Sequence, residues 1–327
     1  METTFVHARR TAFIRRAMIA IVVNPAAGNG RARKIANDVL HALRHRNEVF
    51  EFATTSRGDE THQVARALEG HARCIVVVGG DGSVHHVARA LVSAPRRVPL
   101  AIVAAGTGND FVKSLGTPAH DVRAMTQCIE RAQVRSIDVG LIDGTPFVNA
   151  AGLGFDVAVL ELMQRAPLPW LGGTASYVVT ALRALLGYRG FDASLRTRIV
   201  SESAGSAPTA DAAWQERIGH FTHLMTVFAN GRHFGGAFRI APNAQLDDGM
   251  LDVIDIGALA PWRRPAVFLR AVQGNHERSH AVRSHFGTEF TLHCETPPMY
   301  EADGELYRAQ SNTITVTLRP SALDIIV

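Results

Sequence analysis

Cys74-Ile75-Val76-Val77-Val78-Gly79-Gly80-Asp81-Gly82-Ser83 is the stretch that decides the fold. Five apolar residues in succession suit a strand buried on both faces of a parallel sheet. The three glycines that follow expose the backbone, so phosphate oxygens could approach its N–H groups. Asp81 brings a carboxylate to the same place. Beside phosphates a carboxylate calls for an intervening cation, and Mg²⁺ is the expected one. Ser83 adds a hydroxyl at the start of a helix expected over Val84–Val92, where it could equally act as the N-cap.

The same grammar recurs on either side. The apolar run Ala17–Asn24 leads into Asn24-Pro25-Ala26-Ala27-Gly28-Asn29-Gly30 and a helix expected over Gly28–Arg46. Leu100–Ala104 leads into Gly106-Thr107-Gly108-Asn109-Asp110-Phe111, with a helix over Asn109–Leu115. Between them lie a short strand at Val49–Ala53 and a helix at Gly58–Leu68, with Val64, Ala65 and Leu68 as its apolar positions. Repeated strand-turn-helix units imply a parallel sheet with right-handed crossovers. Ligands of such sheets bind beyond the carboxyl ends of the strands, where all three glycine turns fall. Any one turn has a plain alternative. A tight strand-to-helix turn needs glycine with no ligand, and Asn109 or Asp110 would cap its helix. Three turns at one sheet edge favour phosphate, with Thr107 as a donor and Asp110 as a second carboxylate.

After about Asp138 the texture changes. Thr145–Ala150, Ala193–Val200, His220–Asn230, Leu251–Ile256, Phe290–Glu295 and Thr313–Leu318 read as strands with few helices between them. One helix is expected at Thr174–Leu186, its stripe of Tyr177, Ala181, Ala184 and Leu185 serving core packing or an acyl-chain wall. Ser201–Gln215 reads as a loop. The 327 residues therefore suggest an α/β domain followed by a mostly antiparallel β domain. The boundaries are 17–140 and 141–305, with 306–327 returning to complete the first.

Composition excludes little else. Hydrophobic residues at 46% and charged residues at 20% argue against disorder. A net charge of +4 suits an anionic partner, whether a nucleotide, a phospholipid surface or nucleic acid, and is too small to choose among them; no nucleic-acid partner is expected. Cys74, Cys128 and Cys294 are widely spaced and fit no metal motif, so a reduced, cytoplasmic compartment is expected. The longest uncharged stretch, Ala166–Leu182, holds two prolines and two glycines and does not read as a membrane span. His7-Ala8-Arg9-Arg10 and Arg15-Arg16 form a basic leader, a solvated tail or a weak contact for anionic headgroups.

Late in the chain, Asp303-Gly304-Glu305 places two carboxylates two residues apart. Asp-Gly is also a hairpin-turn signature. A hydroxyl attacking a γ-phosphate needs a proton acceptor, which either carboxylate could be.

With these segments in order, the chain resembles the diacylglycerol kinase catalytic-domain family, which includes bacterial lipid kinases, sphingosine kinases and ceramide kinases. The matching segments are Asn24–Gly28, Gly79–Ser83, Gly106–Phe111, Gly152-Leu153-Gly154-Phe155-Asp156, Ala241–Gly249 and Asp303–Glu305. The resemblance implies transfer of the ATP γ-phosphate to a lipid hydroxyl, with a diacylglycerol-like acceptor at a membrane surface. By the family pattern Asn24, Pro25, Ala26, Ala27, Gly28, Thr54, Gly79, Gly80, Asp81, Gly82, Ser83 and Thr107 would contact ATP. Asp81, Asp110 and Asp138 would hold Mg²⁺ through waters. Asp248, with backbone oxygens of Gln245 and Met250, would hold a structural Mg²⁺. Glu305, before Asp303, would be the base. A peripheral membrane location is implied, and a homodimer is left open.

The chain also departs from that pattern. Ser83 replaces the usual threonine, and His85-His86 stands where Asn-Glu is common, with solvent or phosphate as the expected surroundings. Asn29 replaces a lysine found in some bacterial members, leaving Arg31, Arg33 or Lys34 to supply charge. A kinase for a soluble substrate, of the NAD kinase or phosphofructokinase kind, shares the Gly-Gly-Asp-Gly turn. A non-catalytic regulator on the same fold is the other rival.

Overall fold

The computed structural model describes residues 18–165, 173–198, 214–215 and 221–327. The chain forms two compact units: residues up to Asp138 together with Ser321–Val327, and Val139–Pro320.

In the first unit, strands β1 (Met18–Val23), β2 (Glu48–Ala53), β3 (Cys74–Gly79) and β4 (Leu100–Ala104) are parallel, in the order β2-β1-β3-β4. The returning C-terminal segment adds a parallel pairing of Ile325 with Leu100. Helices α1 (Arg31–Arg44), α2 (Glu60–Glu69), α3 (Asp81–Val92), α4 (Asp110–Leu115) and α5 (Val122–Arg131) lie between and after the strands. Ile19, Ile21, Val23, Val76, Val78 and Val103 pack on Ala32, Ala36, Val39 and Leu43 of α1 and on Met125 and Ile129 of α5. This covers one face of the sheet with helix, as a strand apolar on both faces demands.

Local chemistry moves several boundaries. The first helix starts at Arg31, because Gly28 and Gly30 take positive φ and close the turn first. Helix α3 starts at Asp81, so Ser83 is its third residue and not its cap. Helix α2 turns Val64 and Ala67 inward together with Glu60 and Gln63, whereas Ala65 is exposed. Pairing α2 against α3 rotates the stripe from its expected place.

The second unit is largely antiparallel. β5 (Val134–Ile142) runs into it and pairs with β6 (Thr145–Phe147). β7 (Ala150–Gly154) lies between β10 (Phe221–Ala229) and β14 (Met299–Ala302). β14 forms a hairpin with β15 (Glu305–Arg308). β11 (Leu251–Gly257) joins β10 to β12 (Val282–Gly287). β8 (Phe191–Arg198) pairs with β10, with β13 (Glu289–Cys294) and with the two-residue β9 (Trp214–Gln215). β16 (Thr313–Ile326) pairs with β13 and carries the chain back to the first unit.

Among the described residues three α-helices, not one, accompany these strands: α6 (Phe155–Arg165), α7 (Gly173–Gly187) and α8 (Arg264–Val272). α6 starts directly from Gly154, which takes φ 108°, and its valines read as strand by propensity. Ala184 and Leu185 of α7 are buried with Phe155, Val159, Val267 and Ala271, and Ala181 packs against that cluster, so this helix packs the core. The Tyr177 side chain, the basic leader and most of Ser201–Gln215 lie outside the described residues.

Candidate active site

The three glycine turns of the first unit pack backbone against backbone. A Cβ on Gly28, which has φ 59°, would sit 2.1 Å from the Ala105 carbonyl oxygen, so only glycine lets the first turn touch the third. A Cβ on Gly106 would sit 2.5 Å from the Cα of Gly80, which binds the third turn to the second.

Asp81 fastens this arrangement. One carboxylate oxygen accepts the Asn109 amide at 2.6 Å and the other the Asp110 amide at 2.7 Å. The cap of α4 therefore comes from a neighbouring turn and not from Asn109 or Asp110. The Asn109 side chain instead donates to the Gly106 carbonyl at 2.9 Å. Burial, and then the charge of Asp110, push the Asp81 carboxyl above its usual range against the pull of those amides. Asp110 is bonded to Lys113 Nζ at 2.9 Å, one turn along α4.

Ser83 has a second attachment that the sequence does not announce. Its hydroxyl donates to Glu60 Oε1 at 2.8 Å and accepts from Asn24 Nδ2 at 3.3 Å. With its one proton spent on Glu60, Ser83 offers only lone pairs to anything else. Glu60 is buried and its Oε2 has no hydrogen-bond partner. Asn24 Oδ1 accepts the Ala26 amide at 3.1 Å, closing the first turn on itself. Arg31 Nε reaches the Gly28 carbonyl at 3.1 Å, so Arg31 is the cation at that turn, while Arg33 and Lys34 point outward.

The remaining expected residues are more dispersed. Thr54 is buried, its amide bonded to Val23, and Thr107 is exposed at the tip of the third turn. Asp138 is buried in β5 and accepts the Ser321 amide at 2.7 Å, tying in the C-terminal strand. His85 is buried, which removes solvent from its two expected surroundings, because α3 packs between its neighbours. The His86 ring lies edge-on to it at 5.2 Å.

Among the described residues no three His, Cys, Asp or Glu could hold a metal ion directly. Each Asp81 oxygen spends one lone pair on an amide and keeps another. Two adjoining carboxylates of this kind suit a hydrated cation held through water, which Mg²⁺ favours.

In the second unit, Asp303 and Gly304 form the two-residue turn between β14 and β15, both at positive φ (50° and 85°). The Asp303 carboxylate accepts three amides: Val148 at 3.0 Å, Asn149 at 2.9 Å and Ala150 at 3.1 Å. Glu301 Oε2 accepts the Gly304 amide at 2.6 Å from the other side. Glu305, half-buried, opens β15 directly after this doubly fastened turn.

Behind the turn lies a carboxyl pair that sequence reasoning missed. A Cβ on Gly152 would meet Asp156 Oδ2 at 1.9 Å and Glu301 Oε1 at 3.3 Å, so both side chains crowd one glycine. Both Asp156 oxygens and Glu301 Oε1 lack hydrogen-bond partners. The amides of Asp156 and Val157 lean toward the Asp156 carboxylate and lower its pKa in part, without reaching hydrogen-bond geometry. Burial pushes Asp156 up to about 7. Burial and then the Asp156 charge push Glu301 well above the ordinary glutamate range. Two buried carboxyls so placed hold a proton between them at neutral pH. The signal available in the sequence was Asp156 in Gly152–Asp156, but no spacing rule joins it to Glu301.

At the Leu246–Gly249 turn, exposed Asp248 accepts the Met250 amide at 3.0 Å, and Gln245 is exposed nearby in sequence. Burial, then the charges of Asp248 and Glu277, raise Asp252 to about 6.

A tied set of glycine turns at the carboxyl edge of a parallel sheet, with a β-rich unit bearing Asp303-Gly304-Glu305, is the architecture of a lipid-kinase family. Residues 18–142 match the model of the diacylglycerol kinase catalytic domain, and 149–327 that of the YegS C-terminal NAD kinase β-sandwich-like domain; the chain belongs to this family. It is 28% identical over 294 residues to the diacylglycerol kinase of Mycobacterium tuberculosis, covering 88% of each chain. It is 33% identical over 236 residues to the Pseudomonas aeruginosa protein named "Probable lipid kinase YegS-like", covering 72% of this chain and 70% of that one. A crystal structure of a diacylglycerol kinase from Bacillus anthracis superposes with a TM-score of 0.68 at 20% identity, covering 95% and 96% of the two chains, and shares the fold.

Proposed function

We propose that this chain transfers the γ-phosphate of ATP to the hydroxyl of a diacylglycerol-like lipid. The observation that carries the reading is the N-terminus of α3: no side chain caps it, Gly80 forms its entry, and Gly106 lies against Gly80. Its first-turn amides are available to an anion, and the helix dipole favours one there. Asn24–Gly28, Thr54, Gly79–Ser83 and exposed Thr107 would surround the nucleotide, with Arg31 beside the first turn.

Asp81, Asp110 and Asp138 would hold hydrated Mg²⁺, which neutralises phosphate charge. Asp81 would act through water, each oxygen using the lone pair it keeps beside its amide. Asp248 with Gln245 and Met250 would hold a structural cation. Glu305 takes the lipid proton in this reading. Asp303, committed to three amides, positions the turn instead.

Purified protein with Mg²⁺ and isotopically labelled ATP, offered a panel of lipid alcohols, should yield labelled phospholipids by mass spectrometry. No product with any lipid, where a control kinase works, would end the lipid reading. The family description of the C-terminal domain as NAD kinase-like favours one second reading, a soluble acceptor. NAD and sugar phosphates belong in the same panel, and their preferential labelling would reverse the choice.

A further inference from the structure

Helix α8 and the short turn before it are apolar on both sides. Val267, Phe268 and Ala271 face the core, where the Phe268 ring lies 5.0 Å from that of Phe155. The opposite face is also apolar, yet open to solvent. Trp262 is 78% exposed, Leu269 67% and Val272 45%, with Pro265 and Ala266 exposed between them. Positions 262, 265, 266, 269 and 272 recur at i, i+3, i+4, i+7 and i+10, which is one helix face. A surface helix ordinarily turns polar residues outward there. Scattered exposed apolar residues need no explanation, but a continuous stripe marks an interaction site.

Charge narrows the partner. Arg263 and Arg270 are exposed beside the stripe, and no Asp or Glu occurs from Ala258 to His276. Arg264 is buried and bonded to the Leu259 and Leu185 carbonyls, which fixes the helix on the unit. We propose that Pro261–Val272 is a docking face for an anionic lipid bilayer, with Trp262, Leu269 and Val272 entering the headgroup boundary and Arg263 and Arg270 meeting lipid phosphates. Tryptophan prefers that boundary, and arginine can keep its stem apolar while its head stays in the wet layer. A second copy of the chain fits less well. The nine-residue helix is about 13 Å long. Such a strip falls well short of the roughly 800 Å² per partner of a standard interface. A two-fold pairing would also set the arginines against each other with no acid between them.

The inference rests on the lipid-kinase reading for its purpose, but its test does not need activity. Full-length protein is sedimented with vesicles of phosphatidylglycerol and phosphatidylcholine in equal parts, and with phosphatidylcholine alone. The double variant Trp262→Ser/Leu269→Ser should bind the mixed vesicles at least ~10-fold more weakly at an unchanged melting temperature. Arg263→Gln/Arg270→Gln should weaken the preference for anionic vesicles and its sensitivity to salt. Turnover is then measured on a short-chain, water-soluble acceptor and on the same headgroup in vesicles. The apolar variant should keep the first and lose the second. Unchanged vesicle binding by that folded variant overturns the proposal, as does a concentration-dependent dimer that the variant abolishes while vesicle binding persists. If wild-type protein binds vesicles through this face but phosphorylates neither acceptor, the kinase reading fails and the docking face stands.

Discussion

The Gly79–Ser83 turn and the Asp303–Glu305 hairpin use their aspartates alike and set different groups beside them. Asp81 accepts two backbone amides, and Asp303 accepts three. Each motif aspartate fastens its own turn to another stretch of chain. What remains at the first turn is an uncapped helix end, suited to phosphate. Beside the second stands half-buried Glu305, a carboxylate suited to a proton. The difference teaches that a carboxylate in such a motif can serve its own turn, as the three amides held by Asp303 show.

The sharpest way to break this comparison is at Asp81. Asp81→Asn keeps one acceptor and turns an NH₂ toward an amide N–H, so turnover should fall by ~100-fold or more with the fold retained. Wild-type turnover in steady-state kinetics would remove Asp81 from the account. The matching change, Asp303→Asn, should cost about 3 kcal/mol in denaturant unfolding, because at least one of three amides loses its partner. Gly106→Ala tests the close approach to Gly80 and should cost about 2 kcal/mol by the same measurement.

The carboxyl pair gives a pH test. Asp156 and Glu301 have raised pKa values in the folded state, so their stabilisation is complete below about pH 4 and is lost as pH rises. Each proton held adds a slope of about −1.4 kcal/mol per pH unit between about pH 4 and the folded value, about 7 for Asp156. Glu301→Gln should flatten unfolding free energy against pH in that window. An unchanged slope would show that the pair does not hold the proton. The smallest effect is expected at Ser83→Ala, about 1 kcal/mol, since Glu60 keeps only the longer bond from Asn24.

The first unit was legible because its order is local. An apolar run, a glycine turn and a helix succeed one another within about twenty residues, and Cys74–Val78 and Leu100–Ala104 lie where the pattern puts them. Glu60 escaped because nothing in its own segment points to Ser83, which is 23 residues away. In the second unit the partners are distant in sequence. Asp303 binds amides 153 to 155 residues earlier, and Glu301 crowds Gly152 beside Asp156. Spacing rules cannot see such contacts, so β5, β7, β9, β12, β14, β15, α6 and α8 were missed, while β8, β10, β11 and β13 lie close to where the pattern puts them.

Glu305 offers the most direct test. Labelled ATP and a phosphorylatable lipid are given to wild type, Glu305→Gln and Asp303→Asn, with unfolding followed on the same samples. Glu305→Gln should lose ~100-fold or more in turnover with the ATP KM and the melting temperature unchanged. Asp303→Asn should lose stability along with activity. Near-wild-type turnover in Glu305→Gln, beside a fully stable but inactive Asp303→Asn, would contradict the division of labour between the two carboxylates.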